Sequence, residues 1–246
     1  MNLQNIWDGW ETHLEVDAMY FHAARQAHEL AKRKIADVQS AENRFAALDE
    51  AYEAVLEKHG GDVHLACDEL EPIAIQLSGA HDEIGFVYGP FLKEVAVVHI
   101  LSAASLEAHI NVFAEDFLRG QDLKDFQHFT LSSKWLFLPR LAGLPGFKRN
   151  QMPFQGLSKL IKFRNRLVHY KGVREKWAYG VAPQFLVNLG LTLQDSQGSI
   201  GTVDSMVRTL AQQRDVEVPS WLGENMDDSA YFKLLDKDDR RDQQAK

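Results

Sequence analysis

Residues 11–59 read ETHLEVDAMYFHAARQAHELAKRKIADVQSAENRFAALDEAYEAVLEKH, without a single glycine or proline. Apolar residues recur at Val16, Tyr20, Ala23, Ala27 and Leu30, and again at Val38, Ala41, Phe45, Leu48, Tyr52 and Val55. A spacing that alternates three and four is the seam of a long helix or a coiled coil. Ala27 and Val38 lie four residues further apart than one heptad allows. Near Lys32–Ala36, therefore, either the supercoil relaxes or two helices meet. Gly60-Gly61 ends the stretch, and no strand pattern interrupts it. The expected structure is an antiparallel helical arm packed on the rest of the chain.

Working outward, residues 62–78 read as a short helix restarted at Pro72, and residues 79–89 as a connector. From Pro90 a helix is expected to run to Arg119 and to close at Gly120. Its apolar residues, from Val95 through Phe117, cover much of the circumference, which places it in the core. Ser132 or Ser133 is a suitable cap for a helix ending at Ala142, and Phe154 to Lys171 forms another that Gly172 stops. Phe185–Leu193 is ambiguous between strand and buried helix. Residues 195–198 mark a loop before an amphipathic helix over 199–214, and residues 236–246 form a charged tail. The fold class is all-α.

The chain has 246 residues, 45% of them apolar, so it can bury a substantial core. Its one cysteine, Cys67, excludes a disulfide framework and a four-cysteine zinc site. His59, His64, Cys67 and Asp68 are ligand types near one another, but they read as ordinary helix-end residues, and no metal is assigned. The N-terminus lacks the basic and apolar regions of a signal peptide, and no uninterrupted apolar run reaches about 18 residues. The expectation is a soluble cytoplasmic protein that binds no membrane.

The net charge is −8, but it is unevenly spread. Between Lys134 and Lys176 lie eleven lysines and arginines and one acid, Glu175. This stretch is a candidate footprint for a polyanion. Inside it, Arg164 offers a permanent forked cation for a phosphate, His169 an acid or base, and Asn165 a group to orient either one. Five residues separate Arg164 from His169, about 140° around an ideal helix. Both reach one pocket only at a helix end, where the last turn loosens, or when a second subunit contributes. Such a set suits RNA cleavage by the substrate's own 2′-hydroxyl, with histidine moving protons and arginine holding the charge that builds on phosphorus. Two-metal nucleases need carboxylates, and none occurs from Lys134 through Arg174, so the chemistry reads as metal-free with no cofactor. Lys159, Lys162, Arg166, Lys171 and Arg174, with Tyr170, are the candidates to hold RNA. Of the eight interleaved aromatics (Trp135, Phe137, Phe147, Phe154, Phe163, Tyr170, Trp177 and Tyr179), one or two are expected to stack on bases and the others to be core.

The nonapeptide Phe163-Arg-Asn-Arg-Leu-Val-His-Tyr-Lys171 resembles the signature of the HEPN superfamily, an arginine, usually followed by asparagine, four to six residues before a histidine. Ala104-Ser-Leu-Glu-Ala-His-Ile-Asn111 resembles the long helix that precedes this motif. The resemblance covers about residues 90–172. It implies a helical bundle that dimerises so that two Arg–His pairs line one cleft, and metal-independent endoribonuclease activity in toxin–antitoxin, defence or stress settings. Arg164 and His169 would be catalytic and Asn165 supportive, with Glu107 and Asn111 bracing the motif. In the subgroup paired with a nucleotidyltransferase antitoxin, a tyrosine lies two residues after the histidine; Lys171 stands there in this chain. The superfamily also includes non-catalytic interaction and nucleotide- or RNA-binding modules. The organisation expected is an N-terminal helical arm over 1–80, a HEPN-like core over 81–216 and a C-terminal extension over 217–246. The expected partners are RNA, a second copy of the chain, and an antitoxin or regulatory protein.

Overall fold

The seam of residues 16–55 folds as one helix. In the computed structural model, which describes residues 10–172, 184–223 and 232–236, α1 spans Val16–Lys58 without a break at Lys32–Ala36. Its buried stripe is Ala18, Phe21, Ala24, Ala27, Ala31, Val38 and Ala41, whereas Leu30 is exposed. Ala24, Ala31 and Val38 keep a heptad step, so no four-residue insertion is needed. The expected first set was displaced around the helix because alanine carries too little apolar surface to reveal its face by composition.

The expected break at Pro72, the connector over 79–89 and the fresh start at Pro90 are all overturned. A single helix, α2, runs Val63–Phe117 with both prolines inside it. A proline costs about 3 kcal/mol in a helix interior. Both rings sit at exposed positions, and burial of Leu70, Phe91 and Val95, which face away from the rings, offsets the cost. An 18-residue window of α2 has a mean hydropathy of 1.5, long and apolar enough by composition to cross a bilayer, and a third of it is buried in the fold. The remaining helices are α3 (Gly120–Gln127), α4 (Leu131–Leu141), α5 (Phe154–Val168), α6 (Gln184–Leu189) and α7 (Leu193–Arg214). A 3₁₀ turn follows at Ser220–Leu222. Among the described residues the chain is all-α apart from one antiparallel ribbon, β1 (Trp10–Leu14) with β2 (Phe232–Asp236), which pairs Trp10 with Asp236 and Leu14 with Phe232. Neither strand was expected: β1 falls where helix was read, and β2 where the chain turns sparse in apolar residues.

The chain forms two compact units, each built from separated segments, so the units do not follow the sequential boundaries at 80 and 216. The first gathers residues 1–25, 100–161 and 199–246. Its core interleaves Leu106, Ile110 and Phe113 of α2 with Trp135 and Leu138 of α4, Phe154 and Leu157 of α5, and Met206 and Leu210 of α7. The Trp135 indole N–H donates to the Leu106 carbonyl (3.2 Å). Lys134, read as part of the polyanion footprint, is only 1% exposed. Its ammonium donates to Glu107 (2.8 Å) and sits near the Phe126 ring. Thr130, rather than Ser132 or Ser133, caps α4 by accepting the Ser133 N–H (3.2 Å).

The second unit gathers residues 26–99 and 162–198. Here α1 and α2 form an antiparallel hairpin turning on Gly60 and Gly61, both at positive φ. Three pairs fix its register: Tyr88 donates to Glu42, Arg44 to Glu83 (3.0 Å) and Lys58 to Glu69 (2.8 Å). Toward the turn the buried residues thin to Ala66, Leu70 and Ala80, and exposed ion pairs contribute at most about 1 kcal/mol each. At the other end Ala31, Val38, Phe91 and Val95 close a core with Leu186, Leu189 and Leu191. His28 is buried there, its Nδ1 2.8 Å from the Ser196 hydroxyl.

Candidate functional site

Helix α5 is amphipathic: Phe154, Leu157, Leu160 and Phe163 are buried, while Lys159, Lys162, Arg164, Asn165 and Arg166 are exposed. The helix contains no acid. It ends at Val168, and the His169 N–H still donates to the Asn165 carbonyl (3.0 Å), so His169 completes the last turn. Three residues on, Gly172 adopts φ +65°. The motif thus sits at a helix C-terminus, where the backbone's partial negative charge favours the cations gathered there.

A groove of about 420 Å³ opens at this helix end, lined by Asn165, Arg166, His169, Tyr170 and Lys171 on one side and Phe185, Asn188 and Leu189 of α6 on the other. Arg164 does not line it. Its guanidinium instead donates to Oδ1 of Asn165 (3.0 Å), leaving the Asn165 NH₂ as the donor that can face a ligand. Arginine and histidine are therefore linked through the asparagine between them, rather than by sharing a wall. Arg166 bridges the two sides by donating to the Asn188 carbonyl. Among the described lining residues there is no carboxylate.

Beneath the groove, buried His99 approaches the Gly190 carbonyl (2.7 Å) through Nε2 and lies 5.1 Å from the Phe163 ring. Gly190 has φ +72°, and a Cβ there would meet three Phe163 ring atoms at 2.6 Å. Only glycine lets the chain leave α6 at this closeness to α5.

Other expected site residues are placed differently. Glu107 and Asn111 belong to the first unit, where the Lys134 ammonium donates to Glu107 (2.8 Å). The buried Asn111 Oδ1 has no hydrogen-bond partner among the described residues. Arg140 donates to the Phe147 carbonyl (2.8 Å), so it serves a turn of the fold. Lys159 is exposed and lies in the first unit, and Lys162 is exposed in the second. Arg174, Trp177 and Tyr179 lie outside the described residues. Of the other aromatics, Trp135, Phe147, Phe154 and Phe163 are core, whereas Phe137 and Tyr170 are each nearly half exposed. Near the hairpin turn, His59 Nε2 lies 3.1 Å from Glu69. Cys67 is exposed.

No family model, curated protein or solved structure matches this chain.

The α6 wall was missed in the sequence. Phe185, Asn188 and Leu189 stand at i, i+3 and i+4, the spacing of one helix face. That signal was present in a segment read as either strand or helix. The loop expected at residues 195–198 is part of α7. Thr192 initiates that helix by accepting the Asp195 N–H (3.1 Å), and its own hydroxyl donates to the Asp195 carboxylate (2.8 Å).

Proposed function

We propose that the protein is a metal-independent endoribonuclease of HEPN type that cleaves single-stranded or loop RNA as a cytoplasmic homodimer. The setting is defence, a toxin–antitoxin pair or a stress response, restrained by an antitoxin or regulatory protein. One observation carries this reading: His169, Asn165, Arg166, Lys171 and Tyr170 line a single groove without a carboxylate, and Arg164 is bonded to Asn165 at its edge. His169 takes the proton from a substrate 2′-hydroxyl, whose oxygen attacks the adjacent phosphorus as the bond to the 5′-oxygen breaks. The proton returned to that oxygen comes from the second protomer's histidine. The products are a 2′,3′-cyclic phosphate and a 5′-hydroxyl. Arg164 stabilises the charge on the phosphorus oxygens and Asn165 orients it. The exposed cations Lys162, Arg166 and Lys171 track the backbone of the strand.

A second reading is favoured by one specific feature, the absence of Arg164 from the groove lining. It is a non-catalytic interaction module, or one that binds nucleotides or RNA, in which Arg164 and Asn165 stitch the helix end. Incubation with structured and single-stranded RNA in EDTA, alongside the Arg164→Ala and His169→Ala proteins, separates the two. Cleavage by the wild type alone, leaving cyclic phosphate ends, is the expected result. RNA binding without cleavage by any of the three proteins selects the module.

A further inference from the structure

We infer that the α6 side of the groove is a pocket for one unpaired base of the substrate strand, and that Asn188 selects adenine there. The inference rests on the ribonuclease reading for the identity of the ligand, but its evidence comes from the opposite wall. Phe185, Asn188 and Leu189 present one helical face to the groove. Phe185 and Leu189 are apolar surfaces. The carboxamide of Asn188 has no hydrogen-bond partner among the described residues, because Arg166 engages only its backbone carbonyl. A volume of about 420 Å³ is near the lower end for small-molecule sites and suits one nucleotide rather than a duplex.

The occupant follows from charge and shape together. Arg166, Lys171 and His169 line the same groove with no opposing acid among the described lining residues, so a ligand with a phosphate is favoured over a neutral or cationic one. Aromatic and apolar faces at Tyr170, Phe185 and Leu189 favour a flat base, since stacking on such faces holds unpaired bases of any identity. A carboxamide adds discrimination, because its adjacent donor and acceptor match the N7 and N6 edge of adenine in a bidentate pair. His169 lies beside the pocket, so the strand is cut at the phosphate neighbouring the bound adenine.

The test uses the full-length protein and fluorescent octamers of 2′-O-methyl A, U or C, which lack the nucleophile and report binding without cleavage. The expected result is that the A octamer binds about tenfold more tightly than the others. Asn188→Ala should reduce this preference to within about twofold while keeping U and C binding and the thermal melting profile of the wild type. Equal affinity for the three octamers, or a preference that survives Asn188→Ala, overturns the pocket. Cleavage assays on unmodified RNA then tell the two readings apart. If RNA is cut in EDTA with no base preference, the pocket is wrong and the nuclease stands. If the A preference is present but nothing is cut, the pocket stands on a binding module.

Discussion

The two ends of the basic stretch have been put to opposite uses. In the upstream part, Lys134 is sealed in the core against Glu107 and Arg140 is committed to the Phe147 carbonyl. In the downstream part, Lys162, Arg164, Arg166 and Lys171 are exposed, and two of them line a groove. A charge count treats these residues alike. What separates them is what surrounds each helix. Helix α4 is packed so closely that even its lysine is covered, whereas α5 keeps one polar face clear along its length. A basic run is thus a poor measure of a binding surface until its cations have been sorted by what they already hold.

That contrast can be broken most forcefully at His169. His169→Ala is expected to lower the cleavage rate by about 10²–10⁴-fold, with melting unchanged because the side chain is exposed. A large drop in melting temperature would move His169 to the structural class with Lys134. Next is Gly190→Ala, which forces a side chain into the left-handed region and against the Phe163 ring. A loss of about 2–4 kcal/mol in urea unfolding is expected, with the groove distorted and activity reduced. A neutral result would mean that α6 is not held at this closeness.

Lys134→Ala should cost about 2–3 kcal/mol in the same measurement, through lost packing of its long stem, while RNA affinity stays unchanged. Lys162→Ala should do the reverse. Stability should move by less than about 0.5 kcal/mol, and the slope of log affinity against log salt should fall by about 0.7 for a single strand. If the two variants behaved alike, the sorting of cations would be wrong.

The smallest effect is expected from acid. Burial holds the His28 imidazole below its ordinary value near 6.5, opposed by its hydrogen bond with Gln197 and by Glu29, and assisted by Lys32. As pH falls below about 6.5 the unfolded chain takes up the proton first, so stability is full above that point and declines below it. Thermal melting between pH 7.5 and 5 should show the decline. His28→Asn should flatten it.

Helical periodicity alone disclosed the class of fold and the place of the motif. The seam of α1 and the amphipathic α5 are strong 3.6-residue patterns, although α5 ends at Val168 rather than at the expected Lys171 before Gly172. Continuity of α2 was hidden because Pro72, Pro90 and three glycines between them are local penalties, whereas the compensation comes from packing on α1 by residues that face away from the breakers. Residues 195–198 misled for a related reason. Their loop-like composition is overruled by a cap three residues upstream of Asp195. At the site, Arg164, Asn165 and His169 were legible because they share one turn and a half of helix. Asn188 was not, since pairing it with Arg166 requires knowing that the chain returns after residue 172 to lay α6 beside α5. Glu107 was assigned by resemblance, and its use by Lys134 depends on a contact between helices that no spacing within either one encodes.

The fastening of α6 has a design consequence. Two bonds to this segment, from Arg166 to residue 188 and from His99 to residue 190, end on main-chain carbonyls. Every residue supplies such an oxygen, so the mounting does not depend on which side chain is carried at 188. Position 188 can therefore be exchanged as a key is exchanged in a fixed lock plate. A library randomised at this position should yield variants that share one scaffold and differ in what they recognise.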